Sequence, residues 1–151
     1  MDESLRELYQ DVILDHSKHP RHFGALEGAT HSGEGHNPLC GDRVKIYLVL
    51  GADGRIADIK FEGRGCAISQ ASASLMTDMI LGRTVAEAEK LMGGFLNLVK
   101  GEDVVDLQGE DREMLDVMAG VSAFPMRIKC ATLAWHTMKS ALEGGGAAAS
   151  E

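Results

Sequence analysis

The earliest apolar positions, Leu5, Leu8, Tyr9, Val12 and Ile13, follow the i, i+3, i+4, i+7, i+8 spacing of an amphipathic helix. Ser4 or Asp2 can cap that helix, and Pro20 stops it near His19. From Arg21 to Asp42 the chain is rich in Gly, His and Asn and reads as loop, with one short edge strand near Ala29 to Gly33. The period then changes to two. Val44, Ile46, Leu48 and Leu50 alternate with Lys45, Tyr47 and Val49, a Gly51-Ala52-Asp53-Gly54 turn follows, and Ile56, Ile59 and Phe61 mark a second strand. This pattern predicts an antiparallel hairpin.

Helical patterns occupy the rest. Ala67 to Leu81 is rich in small residues and Met, and Gly82 ends it. Thr84-Val85-Ala86-Glu87 fits a capping box for a helix running to about Val99, with Gly93-Gly94 as its weak point. Asp103 to Met118 holds a short helix bounded by Gly109 and Gly120, and Pro125 opens the last helix through Ile128, Leu133, Ala134, Met138 and Leu142. The order implies an α+β fold in which helices pack on one face of a small antiparallel sheet of about three strands. Residues 1–143 are expected to form a single domain, and 144–151 a disordered Gly/Ala tail.

Composition narrows the function. A net charge of −8 argues against nucleic acid and anionic membrane as partners. No apolar run approaches the ~20 residues of a membrane span. The acidic start, Met1-Asp2-Glu3-Ser4, is unlike an export or transit signal. Three cysteines cannot close a disulfide framework within one chain, so reduced thiols and a cytoplasmic location are expected. Aromatics are few and methionines number eight; Met76, Met79, Met92, Met114, Met118 and Met138 fall in helical patterns and read as core.

The cysteines carry the chemistry. Cys40 lies in the shaped turn Asn37-Pro38-Leu39-Cys40-Gly41-Asp42, where two residues apart in an extended segment would put Cys40 and Asp42 on one side. Cys66 follows Gly63-Arg64-Gly65, where a strand gives way to a helix whose unpaired N–H groups favour negative charge on the sulfur. Cys130 follows Arg127 and Lys129 in the last helix. A lone buried cysteine usually acts as a small hydrophobe, but each of these stands beside Gly, Asp or cations. If they converge, three thiolates and one carboxylate suit tetrahedral zinc. Paired CxxC ligands of a structural zinc site are absent, as is the P-C-x-x-C of zinc deaminases. His16, His19 and His22 are spaced by three, but Pro20 breaks the helix between them. Ser69, Ser72 and Ser74 have no neighbouring base in the sequence and read as small-residue packing.

Asp15 to Gly24, Asn37 to Asp42, Gly63 to Ser74 and Arg127 to Ala134 together resemble the IscU/NifU-N superfamily of iron–sulfur cluster assembly proteins, over about Leu8 to Leu142. Extra helical sequence between Gly82 and Gly120 makes the chain most similar to the SufU type. So does Lys129, where the scaffold type has a histidine ligand, and Ala123 to Arg127 replaces that type's Leu-Pro-Pro-Val-Lys chaperone signal. The resemblance implies a SufE/NifU-like fold and zinc held by Cys40, Asp42, Cys66 and Cys130. It implies a sulfurtransferase that accepts persulfide sulfur from a SufS-type cysteine desulfurase and passes it to downstream iron–sulfur assembly machinery. Cys40 is then the acceptor, because its loop can move, and Arg127 an electrostatic helper near the incoming sulfur. A scaffold holding iron or a [2Fe–2S] cluster is the alternative function; a purely structural zinc site is the third reading.

Overall fold

The computed structural model describes residues 3–38, 41–144 and 147–149. Helix α1 (Glu3–Lys18) leads into three antiparallel strands, β1 (His31–Asn37), β2 (Asp42–Leu50) and β3 (Ile56–Arg64). Helices α2 (Ala67–Ile80), α3 (Val85–Lys100) and α4 (Gly109–Leu115) follow, then a 3-10 helix (Asp116–Ala123) and α5 (Pro125–Leu142). The fold is α+β. In β2 the alternation puts Val44, Ile46 and Leu48 inward against the helices, and leaves Arg43, Lys45 and Tyr47 on the outer face.

The core joins the inner face of the sheet to α2, α3 and α5. Within it Phe95 stacks on Trp135, with ring centroids 4.9 Å apart and planes at 23°. An aromatic pair of this kind contributes roughly 0.5–1.5 kcal/mol beyond its buried area. Helix α5 lies close on β1 because Gly33 has no side chain: a Cβ there would stand 3.1 Å from the Ala141 nitrogen and the Thr137 carbonyl oxygen. Helix α3 carries the expected capping box, Thr84 Oγ1 accepting from Glu87 N–H at 3.1 Å and Glu87 Oε1 from Thr84 N–H at 3.0 Å.

Several elements differ from their sequence reading, each for a packing reason. Strand β1 runs four residues further, to Asn37, because β2 pairs with it through Asn37↔Asp42. Gly93-Gly94 does not weaken α3; Gly94 is the point where Leu107 lies against the helix, and a Cβ would meet Leu107 Cγ at 2.5 Å. Met114 is not core but 37 % exposed, unlike Met76, Met79, Met92, Met118 and Met138, which are buried. Of the tail, residues 145–146 and 150–151 lie outside the described residues. Ala147–Ala149, expected to be disordered, instead form a short strand, β4, parallel to β1. The outer edge of β1 offers unpaired backbone groups, and pairing satisfies them.

The serines of α2 also need a correction. Ser74 does have a base beside it: His16 Nδ1 lies 2.7 Å from Ser74 Oγ, which also accepts the Arg21 N–H at 2.8 Å. Both side chains are buried, so the contact fastens the end of α1 to α2. Burial, followed by the nearby Arg21 charge, holds the His16 imidazole below its ordinary range; Asp78 and Asp15 oppose this. The folded state therefore binds the His16 proton less readily than the unfolded chain, whose imidazole titrates near ~6.5. Stability contributed by neutral His16 is complete above that value and is lost as the pH falls through it. Thermal midpoints measured from about pH 8 to about pH 5 should fall more steeply for the wild type than for His16→Gln. Parallel curves would contradict the assignment.

Candidate metal centre

Asp42 continues the inward phase of Val44, Ile46 and Leu48, so its carboxylate points to the helical side of the sheet and is 1 % exposed. The Cys66 N–H donates to Asp42 Oδ1 at 3.0 Å. Gly65 permits this approach, since a Cβ there would stand 2.3 Å from Oδ1 and 2.8 Å from Cγ. Cys66 is the N-cap of α2, in extended conformation (φ −69, ψ 166), and its Sγ accepts the Ser69 N–H at 3.5 Å. That Sγ lies 3.9 Å from Asp42 Oδ2.

Cys130 comes to the same point from α5. The Ser72 hydroxyl donates to the Ala131 carbonyl and so fixes α5 against α2 beside the cysteine. Ligand atoms of Asp42, Cys66 and Cys130 all lie within 4.8 Å of one another, with Asp42 and Cys130 buried and Cys66 exposed. Ligands of a tetrahedral zinc, about 2.0–2.3 Å from the ion, stand roughly 3.3–3.8 Å apart. The donor set fits such an ion with small side-chain adjustments, and the two sulfurs favour zinc or iron over magnesium or calcium.

Cys40 lies outside the described residues. The reasoning that put it on the same side as Asp42 does not carry across Gly41, because that glycine has φ 73, the left-handed region, and the chain is not extended there. The Gly41 N–H donates to the Asn37 carbonyl at 2.9 Å. Arg127 is exposed, three residues before Cys130, and its guanidinium stacks on the Phe124 ring at 4.5 Å from the centroid. His16 and His22 have separate partners, Ser74 and Asp78, which separates them from any shared metal. Gly65 was missed in the sequence reading; its only sign is its place between Arg64 and Cys66.

Two thiols and a carboxylate are thus gathered where β2, α2 and α5 meet. Residues 8–94 match the family described as the NifU-like N terminal domain, and the chain belongs to that family. It is 41 % identical over 145 residues to the zinc-dependent sulfurtransferase SufU of Bacillus subtilis (strain 168), covering 95 % of this chain and 96 % of that one. It is 40 % identical over 139 residues to the iron–sulfur cluster assembly scaffold protein IscU of Streptococcus pyogenes serotype M1, covering 92 % and 85 %. The crystal structure of a protein from Brucella abortus described as the N-terminal part of a NifU-like protein superposes with a TM-score of 0.80 at 21 % identity, covering 92 % and 94 %, and shows the same fold. Among the described residues no helix is long and apolar enough to cross a membrane.

The close approach of Gly65 to Asp42 yields a test. Gly65→Ala is expected to displace the carboxylate and lower zinc affinity by roughly 10–100-fold, the usual cost of disturbing a ligand's support. Competition with a chromophoric chelator measures it; an unchanged affinity would show that Asp42 is not a ligand.

Proposed function

We propose that this protein is a zinc-dependent sulfurtransferase of iron–sulfur cluster assembly, taking persulfide sulfur from a SufS-type cysteine desulfurase. The observation that carries this reading is the grouping of two cysteine sulfurs and a carboxylate within 4.8 Å. Cys40, Asp42, Cys66 and Cys130 are the proposed ligands, with Cys40 the sulfur acceptor. Zinc bound there would keep the thiols deprotonated and guard them from oxidation.

The chain's own residues divide the work. Asp42, Cys66 and Cys130 are held by a strand and two helices and serve as the fixed part of the site. Cys40 is one of four residues between the paired Asn37 and Asp42, a segment short enough in sequence to keep its thiol near the centre. Its thiolate attacks the terminal sulfur of the donor's persulfide. The donor's S–S bond breaks, a new S–S bond forms on Cys40, and the donor cysteine leaves as thiolate. Arg127 can steady the negative charge of the incoming persulfide, for which its exposed position three residues before Cys130 is suited. Lys129 supports the transferase over the scaffold type, which places a histidine ligand there. The scaffold reading draws on the exposed Cys66, which leaves room for an iron–sulfur cluster, and on relatives named as scaffolds.

An anaerobic mixture of the protein, a SufS-type cysteine desulfurase and cysteine decides between them. The transferase reading expects colourless, zinc-containing protein that accelerates alanine release and gains sulfane sulfur. It expects Cys40→Ala to abolish that gain while the chain stays folded. Brown, iron-containing protein without acceleration supports the scaffold, and sulfur gain by Cys40→Ala excludes Cys40 as acceptor.

A further inference from the structure

The outer face of the sheet is ordered in rows by strand register, and one row sets two arginines directly opposite each other. The third row from the metal centre is Ser32↔Tyr47↔Lys60. The middle row is Glu34↔Lys45↔Glu62, and it closes on itself. Lys45 Nζ lies 3.7 Å from Glu34 Oε1 and 4.9 Å from the Tyr47 ring centroid, and the Tyr47 hydroxyl donates to Glu62.

The row beside the centre is His36↔Arg43↔Arg64, all three exposed. Two arginines thus stand directly opposite each other on neighbouring strands. Among the described residues, ion pairs within 4.0 Å involve neither of them. Like charges in that position destabilise a sheet. They do so here in a chain of net charge −8, which has carboxylates to spare. Arg43 directly follows Asp42, and Arg64 is separated from Cys66 only by Gly65, so the two charges lie at the rim of the candidate metal centre.

We propose that Arg43 and Arg64 form a docking surface for an acidic segment of the persulfide-bearing partner enzyme, a surface that rests on the sulfurtransferase reading. Attraction to the arginines brings the partner's persulfide to the rim where Asp42 and Cys66 sit and relieves the repulsion between the two guanidinium groups. The occupant is a polypeptide because of the charge pattern. A small polyanion held by Arg43 and Arg64 would meet Glu34 and Glu62 one row away. A folded protein can offer carboxylates to the arginines and a neutral or cationic group to the glutamates. The middle row then sets register, and the arginine row supplies attraction.

Calorimetric titration of the zinc-loaded full chain with a SufS-type cysteine desulfurase, at low and high salt, tests the surface. Arg43→Glu and Arg64→Glu are each expected to weaken binding by about tenfold or more at low salt and to flatten its salt dependence. Lys60→Glu makes the same change in net charge on the same face but in the remote row, and should shift binding by less than about threefold. Zinc content and circular dichroism of each variant show that it is folded and loaded. Arginine variants that bind like the wild type, or a Lys60 variant that loses as much as they do, would overturn the proposal, as would a wild type that does not bind. A wild type that binds but takes up no sulfane sulfur would overturn the sulfurtransferase reading alone, with the surface still judged by the arginine variants.

Discussion

Three groups that ionise to anions, Asp42, Cys66 and Cys130, converge within 4.8 Å, two of them buried. Collecting such groups away from water is unfavourable unless hydrogen-bond donors and a cation meet them. The fold supplies the donors locally, through the Cys66 N–H on Asp42 and the Ser69 N–H on Cys66. A thiophilic cation would meet the rest of the requirement, which is the physical ground for proposing a metal site here.

Each of the three groups is delivered by a different rule of chain geometry. Strand alternation turns Asp42 to the helical side, in step with Val44, Ile46 and Leu48. The strand-to-helix junction at Gly65-Cys66 aims a thiol from the first turn of α2, and the bond from Ser72 to the Ala131 carbonyl sets the height of α5 and hence of Cys130. The stack of Phe95 on Trp135 and the close seat of α5 on Gly33 hold that helix in place. Because the ligands belong to three distant segments, the centre exists only when the core is complete. Its strength therefore reports on the whole fold.

Much of this was legible in the residue pattern. Period-two alternation from Val44, the capping box at Thr84 and the Pro125 helix start are local signals, and the structure has all three. Cys66 at a helix start was legible for the same reason, since glycines before a small-residue helical run leave one reading. What was not legible came from packing between distant segments. The bond between His16 and Ser74 joins residues 58 apart in sequence. Gly94 reads in sequence as a weak point but seats Leu107, and Gly65 reads only as part of the Gly63-Arg64-Gly65 strand end although Asp42 packs against it. The Arg43 and Arg64 opposition follows from strand register, which alternation alone does not specify.

The proposed centre is a zinc held by Cys40, Cys66 and Cys130 through sulfur and by Asp42 through oxygen. X-ray absorption at the zinc edge, on protein purified without added metal, addresses it directly. One zinc per chain with three sulfur ligands and one oxygen ligand is the predicted result, and loss of one sulfur is predicted for Cys40→Ala. A zinc-free protein, or a zinc whose sulfur count is the same in Cys40→Ala as in the wild type, would contradict the account.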